Sequence, residues 1–287
     1  MSSMHSTSRP DTSPVKTPSP ARGRFFSQWA ISLAILSRDL LVTRRQLIAF
    51  LTQFLLQPLF FLFIFGVVLP TIGIAQHGYG ALLLPGIVAL TVFTTALQGV
   101  AQPMVLDLGF GREIDDRLLA PIDVRLVAVE KVVFGAIRGL IAGTVIFPLA
   151  YLMLGSEFSV RSNALGVIAA VMILAALSAA SIGLLLGTLV EPGQIGLAFA
   201  LILTPLIFTG CVQYPWGTLS ALRWFQIVTL FNPLTYASEG LRFAMVPAIH
   251  GRILPTLPLG WVFLGLVTSI VVFLSLGLFT FRRRVLS

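Results

Sequence analysis

Charge is scarce in this 287-residue chain. Only 10% of its residues are Asp, Glu, Lys or Arg, against roughly a quarter in soluble domains. With 56% hydrophobic residues and a mean hydropathy of +0.95, a water-soluble fold would expose broad apolar patches and aggregate. One cysteine, Cys211, leaves no partner for an intrachain disulfide. There is no Cys-x-x-Cys, and His5, His77 and His250 are far apart, so a metal-type cluster is not expected. Lysine occurs only at Lys16 and Lys131. Neither closes a G-x-x-x-x-G-K-[ST] pattern, which excludes ATP held in a phosphate-binding loop of this chain. Carboxylates deep within apolar runs, the usual device of proton-coupled carriers, are missing. The net charge of +8 does not point to nucleic acid, because the basic residues gather at the ends of apolar runs, as membrane topology requires.

What remains is an all-α polytopic membrane protein. Its apolar runs are continuous rather than alternating, which disfavours an outer-membrane barrel. Residues 1–24 are rich in Ser, Thr and Pro and read as a disordered cytoplasmic tail, with no apolar core suited to a secretory signal. In residues 25–45, Trp29, Leu33, Leu36 and Leu40 share one helical face. This predicts an amphipathic helix on the inner membrane surface, or else the wet start of the first span. The transmembrane domain, residues 25–287, then holds six spans, near 47–69, 81–105, 132–154, 164–190, 196–213 and 258–281. Fourteen Lys and Arg fall on the side of the tail, the 110–131 segment and the C-terminus, and four on the other. That places both termini in the cytoplasm.

Several positions inside this frame carry information. Ala175, Ala179, Gly183 and Gly187 form a small-residue stripe suited to close helix packing, within the chain or between subunits. Gln53 with Gln57, and Gln98 with Gln102, are polar i, i+4 pairs in the cytoplasmic half of spans 1 and 2. They predict either interhelical hydrogen bonds or the lining of a pathway. Arg138, inside span 3, is expected to snorkel to the inner headgroups. Cys211 reads as a small apolar filler of span 5. The connection 214–257 is too apolar to be disordered, and Leu222, Trp224, Phe225, Ile227, Val228 and Leu230 require burial. Asn232-Pro233 predicts a helix start, with Asn as cap and Pro in the first turn. Glu239 and Arg242, three apart, are placed to pair. Two short helices dipping back toward the membrane from outside follow from this pattern.

The densest charge lies at residues 110–131, FGREIDDRLLAPIDVRLVAVEK, between spans 2 and 3. Ile114, Leu118 and Ile122 keep helical spacing among Arg112, Glu113, Asp115, Asp116 and Arg117, and Pro121 breaks the helix. Such a segment cannot sit in hydrocarbon. It is a solvated loop, or the surface through which a separate ATP-hydrolysing subunit drives the membrane part. Asp115, Asp116 and Asp123 have no His or second polar cluster nearby, so no catalytic residue and no metal ligand is assigned.

Four features together resemble the permease subunit of an ABC-2 type ABC transporter, of the daunorubicin-resistance and polysaccharide-export kind. They are the amphipathic helix before six spans, R-E-x-x-x-R-L-L-x-P at 112–121, the long last external connection, and N-P-L-T-Y-x-x-E-G-L-R at 232–242. Where many members carry Gly-Thr-Leu in the charged segment, this chain has Asp115-Asp116-Arg117. The resemblance implies two such permeases, identical or similar, around a central path in the cytoplasmic (inner) membrane. Two ABC ATP-binding subunits beneath them would bind ATP and Mg, leaving no cofactor in this chain. It makes Arg112, Glu113, Asp115, Asp116, Arg117, Leu118 and Pro121 a coupling helix, and Asn232, Pro233, Glu239 and Arg242 part of an external gate. The implied cargo is an amphipathic drug, lipid or lipid-linked glycan moved outward by alternating access. A gradient-driven secondary carrier, and a membrane-embedded enzyme or assembly factor, stand as the alternatives.

Overall fold

The computed structural model describes residues 47–76, 78–109, 124–155, 158, 160–246, 248–249, 252–253 and 255–286. The tail, the 25–45 segment and the seven expected coupling residues, Arg112, Glu113, Asp115, Asp116, Arg117, Leu118 and Pro121, lie outside the described residues. Among the described residues six helices are long and apolar enough to cross a membrane.

Helix α1 (Leu47–Phe63) continues through a π-helical turn at Ile64–Val68 and a last turn at Leu69–Thr71. Helices α2 (Tyr79–Gly109) and α3 (Val124–Leu154) follow, then α4 (Leu165–Leu189) and α5 (Ile195–Thr209), the latter led in by a 3-10 turn at Pro192–Gln194. A 3-10 turn at Trp216–Ala221, the short α6 (Arg223–Thr229), α7 (Pro233–Met245) and a two-residue antiparallel pair, β1 (Ala248–Ile249) with β2 (Arg252–Ile253), make the last connection. Helix α8 (Leu259–Leu286) is the sixth long helix. We call the end where α2 stops and α3 starts the island end, and the opposite one the clamp end.

Helices α2 and α3 are 31 residues each, about 46 Å at 1.5 Å per residue, against the ~30 Å hydrocarbon core. Both outrun the apolar segments read from the sequence. Apolarity ends at the first charged residue, whereas backbone hydrogen bonding carries the helix on into the headgroup layer. Helix α2 is the centre of the bundle, and every residue from Leu83 to Phe93 is buried. It is flanked by α3 and α4 at a separation that only small residues permit. A Cβ on Gly183 of α4 would stand 2.4 Å from the Leu97 carbonyl oxygen, and one on Gly139 of α3 would stand 2.6 Å from that of Val92. The Ala175–Ala179–Gly183–Gly187 stripe is therefore buried within the chain rather than left for a subunit interface. A second stripe at spacing four, Gly135–Gly139–Gly143, does the same on α3.

Helix α8 joins α4 through Ser178–Ser269 and Thr188–Thr280 hydroxyl pairs, both 2.7 Å. The guanidinium of Arg284 donates to the Thr188 carbonyl at 2.6 Å. Helix α5 stands apart, with Leu206 its only buried residue. Two expectations need correction. Leu222, Trp224, Ile227 and Val228 of the last connection are exposed on this chain, not buried. For a protein whose surroundings include lipid, an apolar face turned outward satisfies the same physical demand. Cys211 is not inside a membrane helix, because α5 ends at Thr209 and Cys211 sits in the turn beyond it.

Candidate functional site

The clamp end is built from the backbone groups that a helix leaves unmet. The last four carbonyls of α5 have no partner within the helix, and inside an apolar bundle each orphan costs about 1–3 kcal/mol. Here side chains from the following connection supply the donors. Asn232 Nδ2 donates to Leu206 O at 2.7 Å, Tyr214 O–H to Phe208 O at 2.5 Å, and Thr235 Oγ1 to Thr209 O at 3.0 Å. Asn232 also caps α7, its Oδ1 accepting from Leu234 N at 2.9 Å, and Pro233 opens the helix.

One turn further along α7, Glu239 and Arg242 form an ion pair that is fully buried. Arg242 Nη1 donates to Glu239 Oε1, and Nη2 to the carbonyls of Cys211 and Val212 at 2.9 and 3.2 Å. Glu239 Oε1 also accepts from Trp216 N at 3.0 Å, and Oε2 from Leu257 N at 3.2 Å. The pair thus ties together the turn after α5, the 3-10 turn at Trp216, α7 and the chain entering α8. Cys211 itself takes a left-handed backbone, φ 51°, a conformation costing of order 1–3 kcal/mol for a non-glycine residue. Its thiol is pushed up to about 12, by burial first and by the Glu239 charge second. The turn lies directly on α2, where a Cβ on Gly86 would meet the Val212 carbonyl oxygen at 2.0 Å.

At the island end, Lys131 Nζ of α3 donates to Asp107 Oδ2 of α2 at 2.6 Å. The pair pins together the two helices that flank the charged segment. Two residues on, Gly109 abuts the turn before α5: a Cβ there would stand 2.0 Å from Pro192 Cγ. The α2–α3 end is therefore seated against the start of α5.

Between these ends, α1, α2 and α5 line an open hollow of about 110 Å³, bordered by Gln53, Gln57, Thr94, Gln98, Leu203 and Ile207, among others; Gln53 and Gln57 are exposed on the surface of this chain and Gln98 is half-buried. Thr94 is the central residue of α2 and Gln53 only the seventh of α1, so the hollow runs from near mid-depth toward the island end. The Thr94 hydroxyl donates to Leu90 O at 2.8 Å. Among the described residues, the amides of Gln53, Gln57 and Gln98 find no hydrogen-bond partner. Gln102, the fourth of the set read from the sequence, is half-buried one turn away and does not line the cavity. A larger groove of about 390 Å³ runs along α8, mostly apolar, and its Ser269 is already engaged by Ser178. No group of three or more His, Cys, Asp or Glu gathers as a metal site would need, among the described residues.

The structure therefore brings three of the four glutamines together and adds Thr94, which the sequence reading passed over. It joins Glu239 to Arg242 and adds the α5 carbonyls and Cys211. The Asp107–Lys131 pair was also missed, being 24 residues apart in sequence, with nothing local to link them.

Comparison with known proteins gives a consistent answer. A family model described as ABC-2 type transporter matches residues 32–246. The inner membrane transport permease YadH of Escherichia coli (strain K12) is 28% identical over 174 residues, which is 60% of this chain and 65% of YadH. The putative transport permease ycf38 of Porphyra purpurea is 28% identical over 234 residues, 77% of each chain. That of Cyanophora paradoxa is 28% identical over 235 residues, 76% of this chain and 74% of its own.

Proposed function

The chain belongs to the ABC-2 type transporter family, and from that premise we propose that it is the permease of an ATP-driven exporter in the inner membrane, with both termini cytoplasmic. Hydrolysis takes place in a separate ABC ATP-binding subunit that holds ATP and Mg. The likeness to YadH, an inner membrane transport permease, and to ycf38, a putative transport permease, supports a transporting rather than a catalytic role. The observation that carries the reading is the construction of the island end. The 110–123 segment leaves α2 and returns into α3, and the Asp107–Lys131 pair holds those two helices together. A push on that segment acts on both spans at once. Helix α5, with only Leu206 buried, supports a second permease subunit, identical or similar, covering its open face. The hollow beside α5 supports a path between the two.

In this mechanism ATP-driven closure of the motors presses the 110–131 segment and tilts the first and second spans. The path, closed externally by the Glu239–Arg242 clamp, then opens for an amphipathic drug, lipid or lipid-linked glycan. The test is gentle purification from the native membrane. An ATPase bearing a phosphate-binding loop should accompany the chain and be lost when Asp115, Asp116 and Arg117 are replaced. Charge reversal at Glu113 or Asp116 should abolish transport while leaving the protein in the membrane. A chain that is repeatedly solitary and unresponsive to ATP would overturn the reading in favour of a gradient-driven carrier.

A further inference from the structure

The cavity between α1, α2 and α5 has a chemistry that its position in a membrane does not explain. Its polar groups are three carboxamides, Gln53, Gln57 and Gln98, and one hydroxyl, Thr94. No cation or carboxylate lines it. The remaining wall is apolar, with Leu203 and Ile207 on the α5 side. Each carboxamide offers two donors and an acceptor. Within the apolar depth of a bilayer bulk water is not at hand, Gln53 and Gln57 are exposed on the surface of this chain, and the described residues meet none of the three amides. Inter-helix hydrogen bonds would be the ordinary reason to keep glutamine in a span, and Gln53, Gln57 and Gln98 make none among the described residues. Thr94 is already turned back on its own helix, which narrows the unmet capacity to the three amides.

Three neutral donor–acceptor groups on two helices, with apolar walls around them, suit a partner of matching character. It must carry several hydroxyl or carbonyl oxygens close together, and it must bear no net charge at that point. A cationic group would meet no carboxylate here, and an anionic one no guanidinium or ammonium. Either would have to shed its hydration near mid-depth with only amide dipoles in return. A hydroxyl-rich group can exchange its water hydrogen bonds one for one with the amides, while an attached alkyl portion lies against Leu203 and Ile207. We propose that this cavity is a binding subsite for the uncharged, polyhydroxylated or carbonyl-bearing portion of an amphipathic molecule, recognised by Gln53, Gln57 and Gln98. The assignment of the subsite to cargo rests on the exporter reading above; the binding itself does not require the ATPase.

The experiment uses the full chain in lipid nanodiscs without ATPase. Tritiated hexyl glucoside is the probe, with hexyltrimethylammonium and hexyl sulfate as competitors sharing its alkyl chain. Saturable glucoside binding is expected, with both charged analogues competing at least tenfold more weakly. Gln53→Leu and Gln98→Leu should each weaken glucoside binding about five- to tenfold. Gln102→Leu, outside the cavity, should leave it unchanged and so controls for general damage. Non-saturable uptake that is indifferent to the Gln53 and Gln98 substitutions would overturn the proposal. Equal competition by a charged analogue would overturn the class of ligand. Loss of self-association in Gln53→Leu or Gln98→Leu, with glucoside binding intact, would assign the amides to an interface between copies and overturn the proposal as well. Absence of an ATPase on purification defeats only the exporter reading, so the two failures are distinguishable.

Discussion

Replacing Arg242 by Met removes the charge that pairs with Glu239 in the clamp and strips the donors from two carbonyls. The side chain is fully buried, as is Glu239, so no water is at hand to compensate. Breaking a buried pair from one side costs about 3–5 kcal/mol, and that is the loss expected for Arg242→Met. The informative variant is the double one, Glu239→Leu with Arg242→Met. If the two residues were only an ion pair, apolar replacement of both would be close to neutral or stabilising. The geometry predicts otherwise. Glu239 also accepts from Trp216 N and Leu257 N, and Arg242 also donates to Cys211 O and Val212 O. The double variant orphans four backbone groups, each worth about 1–3 kcal/mol when buried. Allowing for some rescue by water at Trp216, which is half-buried, it should remain at least about 2 kcal/mol below the parent. The assay is SDS titration from mixed micelles followed by tryptophan fluorescence, comparing the parent, both single variants and the double. A double variant within about 1 kcal/mol of the parent would refute the view that the pair works as a backbone cap.

Further outcomes follow from particular contacts. The Cys211 thiol, held protonated by burial and by Glu239, should resist maleimide at pH 8 in the folded protein and label fully in SDS. Because its folded pKa lies above the ordinary 9.0, the linked stability is complete below about pH 9 and is lost as pH rises through about 12; rapid labelling of the folded protein at pH 8 would contradict this. Gly86→Ala forces a methyl against the Val212 carbonyl and should cost about 1–3 kcal/mol, whereas Gly166→Ala meets nothing within 4 Å and should change the SDS midpoint by less than about 0.5 kcal/mol. Asp107→Asn should cost only about 0.2–1 kcal/mol, since both partners are partly exposed. Asp107→Lys should cost more and be restored by Lys131→Asp, and a swapped pair no better than Asp107→Lys alone would remove the pair from the account.

The spans were legible because a helix crossing ~30 Å of hydrocarbon must announce itself as an apolar run. The clamp pair was legible because residues three apart on a helix are neighbours whatever the rest of the fold does. The Asn232 cap announced itself by the Asn-Pro step. What was not legible depends on which distant helices meet. Nothing in the local sequence says that Gln53 and Gln98 face one cavity while Gln102 does not, or that Asp107 reaches Lys131. The exposure of Trp224 and Ile227 was misjudged because an apolar helix in a membrane protein can satisfy itself against lipid or a partner as well as against its own core. The Gly135–Gly139–Gly143 stripe was readable by the same rule that found Ala175–Gly187, and it was simply not singled out.

Helix α5 connects these observations. Its lateral packing is thin, with Leu206 alone fully buried and Phe199, Leu203 and Ile207 partly so, while both of its ends are held. At the island end Pro192 sits against Gly109 of α2. At the clamp end Asn232, Tyr214 and Thr235 hold its last carbonyls, and Arg242 holds the turn beyond. Between the two, Phe199, Leu203 and Ile207 rest partly buried against the bundle core, a thin seam on which the helix would lean if either end were displaced. Under the proposed mechanism, displacement of the α2–α3 end would pass to α5 through the Gly109–Pro192 contact. At the far end it would meet the buried Glu239–Arg242 pair, which resists separation. The wall formed by Leu203 and Ile207 runs into the held last turn of α5 and rests against the bundle core, so a shift of the clamp end would reach the hollow directly. The features that look wasteful in isolation, a thinly packed span, unmet amides beside it and a costly buried ion pair at its end, are what the proposed mechanism would require of a moving part. Such a part would need an open face so that it can lean, a polar lining that its own chain does not saturate, and an anchor stiff enough for the lean to have a pivot.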